Sequence, residues 1–230
     1  IYTLSLHDAL PIFDYIKNTV SNVSWNSMAL LTFALFITLA MWGSAMNFYF
    51  QYNVDQKSLY DFLSIFITLE EDDAYSMGFS AFNMMGAVVQ FMGVICLSRY
   101  LANKHGKKTT FIVCLSLTAF FTAMFYIPSP TDVSLMFVLN FLRSLAYAPT
   151  IPLLWAMIGD VADHIEYENH RRATGFCFSG IVLALKLGLG FGGAIAGIII
   201  SMFGYVSGNV SIQNESTMEG IRLVSSLVPA

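Results

Sequence analysis

The sequence predicts an all-α integral membrane protein with five complete membrane-spanning helices and the beginning of a sixth. Three observations carry that prediction. Hydrophobic residues make up 56% of the 230 residues and charged ones 11%, with a mean hydropathy of +0.64, unlike a water-soluble domain of ordinary composition. Several apolar stretches reach the roughly 20 residues that a helix rising about 1.5 Å per residue needs to cross a hydrocarbon core about 30 Å thick. The loops between them alternate between basic and non-basic at every crossing, as positive charges retained on the cytoplasmic side require. The net charge of −4 says little, because the location of charge matters more. No basic surface for nucleic acid is expected.

Residues 1–12 (IYTLSLHDALPI) resemble a translated sequencing-library adapter, so they read as an artefact, with Phe13 the first natural residue. A cytoplasmic linker occupies 13–26, and the first span covers about 27–52. That span carries Ala40, Ser44, Asn47 and Gln51 at helical spacing, a small-and-polar stripe. The following loop holds Asp55, Asp61, Glu70, Glu71, Asp72 and Asp73 against Lys57 and reads as a solvated external connector. The second span, about 77–100, repeats the stripe with Asn83, Gly86, Gln90 and Gly93 and ends in a basic turn with Arg99, Lys104, His105, Lys107 and Lys108. The third covers about 109–127 and closes at Pro128-Ser129-Pro130-Thr131. In the fourth, about 132–158, Pro149 and Pro152 withhold the N–H groups that would bond the carbonyls of Leu145 and Ala148, so a break is expected. The charged stretch Asp160–Arg172 leads into the fifth span, about 173–206. An external loop at 207–218 precedes a sixth helix begun at 219–230 and truncated. With Lys17, Arg171 and Arg172 also placed inside, the spans describe half of a twelve-helix bundle.

Two bases stand out by depth. Arg143 lies about 12 residues into the fourth span, roughly 18 Å deep, and Lys186 is about 13 residues into the fifth, roughly 20 Å deep. A cation there costs at least about 2.5 kcal/mol unless it is paired or hydrated. The five spans offer no carboxylate at that depth, so the partner is expected from the absent half, a substrate anion or water. Snorkelling and bonding to backbone carbonyls are the alternatives. The amides of Asn47, Gln51, Asn83 and Gln90 fit either a hydrated cavity or helix-to-helix hydrogen bonds. Tyr49, Tyr52 and Trp155 offer flat faces with polar tips for a sugar ring, or serve as packing residues.

The match of Gly188, Gly190 and Gly193 to G-x-G-x-x-G is a decoy, since no strand precedes it. The pairs Gly188–Gly192 and Gly193–Gly197 instead predict close helix approach. Cys96, Cys114 and Cys177 read as small packing residues rather than a disulfide framework. Asp160 and Asp163 are expected to follow the negative end of one helix, while Arg171 and Arg172 precede the positive end of the next, against both dipoles. Such charges make sense as a gate in which they pair with each other, or with the other half, in one conformation. A metal site from Asp160, Asp163, His164, Glu166 and His170 is the sharper alternative, but no fixed ligand spacing supports it, so no metal is assigned. No nucleophile and base are spaced for catalysis, and no catalytic residue is assigned.

The run Trp155-Ala156-Met157 with Asp160, Asp163, Glu166 and Arg172, followed by Ala184-Leu185-Lys186-x-Gly188 with Gly192 and Gly193, resembles the glycoside-pentoside-hexuronide:cation symporters of the major facilitator superfamily. Tyr49-Phe50-x-Tyr52 resembles the end of that family's seventh helix and Glu219-Gly220-Ile221-Arg222 the start of its twelfth. The turn Asn103–Lys108 resembles the superfamily's D-R-x-G-R-K loop, with Asn103 replacing the acid, which puts the usual acid-to-helix contact in doubt. The resemblance implies the C-terminal six-helix half of a multi-pass carrier in a bacterial plasma membrane. It implies a sugar or glycoside substrate and coupling to Na⁺ or H⁺ by alternating access, with no cofactor. The ion's main ligands would lie in the absent N-terminal six helices. By position, Lys186 falls near the sugar and cation sites, Trp155 near the cavity, and Asp160, Asp163, Glu166, Arg171 and Arg172 at the cytoplasmic gate. The other readings are a superfamily carrier for a lipid or drug, and an integral-membrane enzyme.

Overall fold

The computed structural model describes residues 16–68, 70–169, 174–206 and 213–230. The adapter-like residues 1–12, together with His170, Arg171 and Arg172, lie outside the described residues. Helix α1 spans Val23–Phe48, and its N-cap Asn22 accepts a hydrogen bond from the Trp25 N–H, satisfying one of the donors that a helix start leaves unpaired. A π-helical turn, Tyr49–Asn53, extends it. The acidic connector is not simply solvated: it folds into α2 (Gln56–Ser64), capped by Asp55 and anchored by buried Leu59 and Leu63. Apolar residues at a spacing of four place both on one helical face, a signal hidden by the surrounding charges.

Helix α3 runs Ala74–Gly93, continues through a π-helical segment at Val94–Ser98, and joins α4 at Arg99–His105. Gly106, at φ 80°, makes the turn into α5 (Lys107–Ala123). A backbone of that sign is cheap only for glycine. Helix α6 (Val133–Tyr147) and α7 (Thr150–Asn169) meet at the break expected from Pro149. The second proline, Pro152, is absorbed in the first turn of α7, where a missing N–H costs little. Helix α8 is Thr174–Met202, and the short α9 is Glu215–Ser225.

Five helical stretches among the described residues are long and apolar enough to cross a membrane: Val23–Asn53, Glu71–His105, Lys107–Tyr126, Val133–Asn169 and Thr174–Met202. Their outward faces carry bare apolar side chains such as Leu30, Met84, Phe91, Ile112 and Ile198, which water would penalise and lipid does not.

The most extensive contact is α1 along α8, and α6 packs against both α3 and α5. On α8, Gly188 sits against the Phe33 carbonyl and Gly192 against the Ile37 carbonyl of α1. The second expected pair is not used this way: a Cβ at Gly197 would meet nothing within 4 Å, and one at Gly193 would meet only the Ser44 hydroxyl, at 3.8 Å. Phe82 of α3 is fully buried where Trp42, Phe50, Phe125 and Phe137 converge, with ring centroids 4.8 to 6.4 Å away. This aromatic cluster fixes α3 against α1 and α6. Cys114 and Cys177 are buried packing residues, whereas Cys96 is exposed.

Candidate functional site

Where α1, α3 and α6 meet, a cavity of about 410 Å³ opens among the membrane-length helices. Helix α1 contributes Phe36, Leu39 and Trp42, α3 contributes Asn83, Gly86, Ala87 and Gln90, and α6 contributes Asn140, Arg143, Ser144 and Tyr147. Gly86 keeps the wall thin. A Cβ there would come within 3.1 Å of the Ser144 hydroxyl and 3.2 Å of the Asn140 amide. The Asn140 amide donates to the Phe82 carbonyl at 2.8 Å, which ties α6 to α3 at the cavity's edge.

Arg143 is the charge of this site and is only 7% exposed. Its Nε–H donates to the Thr122 hydroxyl at 3.0 Å, and its guanidinium carbon lies 3.5 Å from the centroid of the Trp42 ring and 5.9 Å from that of Tyr147. A desolvated cation over an indole gains about 2 kcal/mol or more, close to the roughly 2.5 kcal/mol minimum for holding a cation at that depth. An aromatic face therefore offsets much of the cost without an acid, and among the described residues no carboxylate pairs with Arg143. The same residue borders a second pocket of about 170 Å³ lined by Thr38, Thr118, Thr122 and the terminal Pro229 and Ala230.

The cavity gathers Asn83, Gln90 and Arg143 of the expected residues; the others lie elsewhere. Lys186 is not buried. It is exposed on α8, with no hydrogen bond or ion pair among the described residues. The reason is the glycine seam: Lys186 precedes Gly188 by two residues, about 200° around the helix, so a seam turned toward α1 turns the lysine away. Trp155 stacks on Phe178 with centroids 6.2 Å apart and planes 2° from parallel, away from the cavity lining. Tyr49 is a core residue, 1% exposed, that borders a different pocket with Asn53, Glu219 and Arg222. Asn47 is exposed and accepts from the Tyr75 hydroxyl at 2.6 Å, and Gln51 is half-buried outside the cavity.

The expected gate also differs in form. Asp160, Asp163 and Glu166 do not follow the end of a helix; they lie on α7, which continues to Asn169. Asp160 pairs with Lys107, the first residue of α5, at 2.7 Å to both carboxylate oxygens. A contact from the basic turn to a neighbouring helix thus exists despite Asn103, through a base instead of an acid. Asp163 is exposed, and His164 meets Glu168 one turn along at 3.3 Å. Asn22 also donates to Glu168 at 3.2 Å, joining the start of α1 to the end of α7.

Trp42, Asn140, Ser144 and Tyr147 complete the site and were not anticipated. Three of them were detectable: Asn140, Arg143, Ser144 and Tyr147 follow i, i+3, i+4, i+7 spacing, one polar stripe along α6. Trp42 carried no comparable signal in an apolar helix.

A profile for the family described as MFS/sugar transport protein matches residues 3–230. The inner membrane symporter YicJ of Escherichia coli is 28% identical over 94% of this chain and 42% of its own length. The glucuronide carrier protein homolog of the same organism is 28% identical over 54% of this chain and 27% of its own. The isoprimeverose transporter of Lactiplantibacillus pentosus is 21% identical over 100% of this chain and 43% of its own. The chain thus spans less than half the length of these relatives.

Proposed function

Because the chain belongs to the MFS/sugar transport protein family, we propose that it forms the C-terminal half of a carrier that moves a sugar or glycoside across a bacterial plasma membrane together with Na⁺ or H⁺. The observation that carries this reading is the cavity of about 410 Å³, whose partly apolar wall carries amides, hydroxyls and one guanidinium, between helices whose outer faces are apolar. Polar groups at membrane depth are expensive and need a hydrated path or a ligand to justify them. Relatives named as a symporter, a glucuronide carrier and an isoprimeverose transporter support a sugar substrate.

In this reading the cavity wall supplies half of the sugar site, and Asn83 and Gln90 bond hydroxyls that the apolar surround would otherwise leave unmet. Lys186, exposed on the face of α8 away from the seam, answers an acid on the rest of the carrier, where the ion's main ligands lie. The break between α6 and α7 gives the helix a hinge beside the cavity. The Lys107–Asp160 contact joins the first residue of α5 to the middle of α7 and, with Asp163, Glu166, Arg171 and Arg172, forms the gate.

Uptake tests the proposal. The full-length carrier in cells lacking other sugar permeases accumulates a glycoside above its external concentration under an imposed Na⁺ or H⁺ gradient, and an ionophore abolishes the accumulation. Uptake that only equilibrates, or none for any sugar, refutes symport.

A further inference from the structure

The polar site on α6 has more donors than acceptors. A guanidinium carries five N–H groups, and Arg143 commits one, Nε–H to Thr122. The Trp42 indole N–H, which can only donate, is buried without a partner, and so is the Tyr147 hydroxyl. The Asn140 amide is already engaged on both sides, with the Phe82 carbonyl and at 3.5 Å with the Ser144 hydroxyl. Each buried donor left unmet costs about 1–3 kcal/mol, and native proteins keep few of them. Two such groups beside one buried cation, all three residues bordering the same cavity, mark the place of an acceptor.

The chemistry of that acceptor follows from what is missing. Water and sugar hydroxyls accept, but they bring no negative charge to a cation that has no ion pair among the described residues. A carboxylate accepts only, carries the charge, and matches the planar fork of a guanidinium through two parallel bonds. The fork is available: the guanidinium carbon lies 3.5 Å from the Trp42 centroid, and the one hydrogen bond the side chain makes among the described residues is from Nε–H, not from its terminal NH2 groups.

We propose that Arg143, Trp42 and Tyr147 form a carboxylate-binding subsite in the cavity wall. The carboxylate comes either from an acidic sugar or from an Asp or Glu in the part of the full-length carrier outside this chain. The sugar source rests on the symport reading; the subsite itself does not.

Equilibrium dialysis of the purified full-length carrier against methyl β-glucuronide and methyl β-glucoside, which differ at one sugar carbon, separates the sources. With the carboxylate on the sugar, the wild type binds the glucuronide about tenfold or more tightly, as one charge-assisted contact allows. Arg143→Gln then brings the ratio toward one, and Trp42→Phe, which keeps a ring but deletes the N–H, lowers it partway. With the carboxylate on the protein, the wild type shows no preference, Arg143→Gln lowers the melting temperature, and neutralising the partner acid in the same molecule restores it. Should Arg143→Gln fail to fold, Trp42→Phe decides: unchanged binding ratio and melting temperature overturn the proposal. Binding of neither sugar, with no acid whose removal restores Arg143→Gln, overturns it as well. Dialysis needs no ion gradient, so Arg143-dependent glucuronide binding without cation-driven uptake would retain the subsite and refute symport.

Discussion

Replacing Gly192 by alanine tests the seam that orients α8, and with it the exposed position of Lys186. A Cβ at Gly192 would press on the Ile37 carbonyl, stand 2.8 Å from the Ala40 Cβ and 3.0 Å from the Ile37 Cα. Carbon atoms pack best at about 3.5–4.0 Å, so α1 and α8 must part locally by roughly 1 Å, and backbone atoms cannot swing aside as a side chain would. Overpacking of this kind costs about 1–3 kcal/mol. Alanine also favours a helix over glycine by about 0.8–1 kcal/mol, which confuses a single measurement. Gly190→Ala removes that ambiguity, since nothing lies within 4 Å of its Cβ position. The two variants share the propensity gain and differ only in the clash. Thermal unfolding of the full-length carrier in detergent should therefore place Gly192→Ala below Gly190→Ala by roughly 1–3 °C, at about 1 °C per kcal/mol for a carrier about twice this length. Melting temperatures that agree within about 0.5 °C would refute the close α1–α8 contact and the orientation derived from it.

Asp160→Asn should lower stability by no more than about 1 kcal/mol, because both partners are about half exposed; exchanging the charges at Lys107 and Asp160 should recover the loss, as thermal unfolding would register. A bulkier residue at Gly86 meets Ser144 and Asn140, so Gly86→Val is expected to raise KM for the transported sugar at least several-fold in uptake assays while the protein still reaches the membrane. The Ser58 hydroxyl and backbone N–H hold the Asp55 carboxyl below the usual carboxylate range. A lowered value means the cap contributes fully above the unfolded value near 3.9 and is lost as pH falls through the folded one, so hydrogen exchange corrected for pH should show α2 equally protected at pH 7 and pH 5. Asp55→Ala should lose about 0.5–2 kcal/mol of that protection at either pH.

The spans were legible because a long apolar run has few other uses, and the break at Pro149 because a missing N–H acts locally. Arg143 was legible by depth alone. Its neighbours were less so, for different reasons. The α6 stripe follows from spacing, but Trp42 reaches it from α1, across a contact that no local pattern encodes. The exposed setting of Lys186 was not legible because depth along a helix says nothing about rotation around it; that depends on which glycines form the seam, and both G-x-x-x-G pairs looked equivalent. The partner of Asp160 was sought among the arginines that follow it in sequence or in the other half of the carrier, whereas the packing of α5 beside α7 supplies Lys107. Helix α2 was hidden because two buried leucines weigh little against a run of acids in any averaged reading.

The central claim, that the space between α1, α3 and α6 is the sugar path, is open to a direct measurement. In a full-length carrier with Cys96, Cys114 and Cys177 replaced by serine, single cysteines at Asn83, Gln90 and Ser144 are probed with a charged, membrane-impermeant thiol reagent, with and without sugar. Labelling at all three that sugar slows, beside an unreactive cysteine at the outward-facing Val138, is the predicted result. Cavity positions as inert as Val138, or labelled at the same rate whether or not sugar is present, would contradict the account.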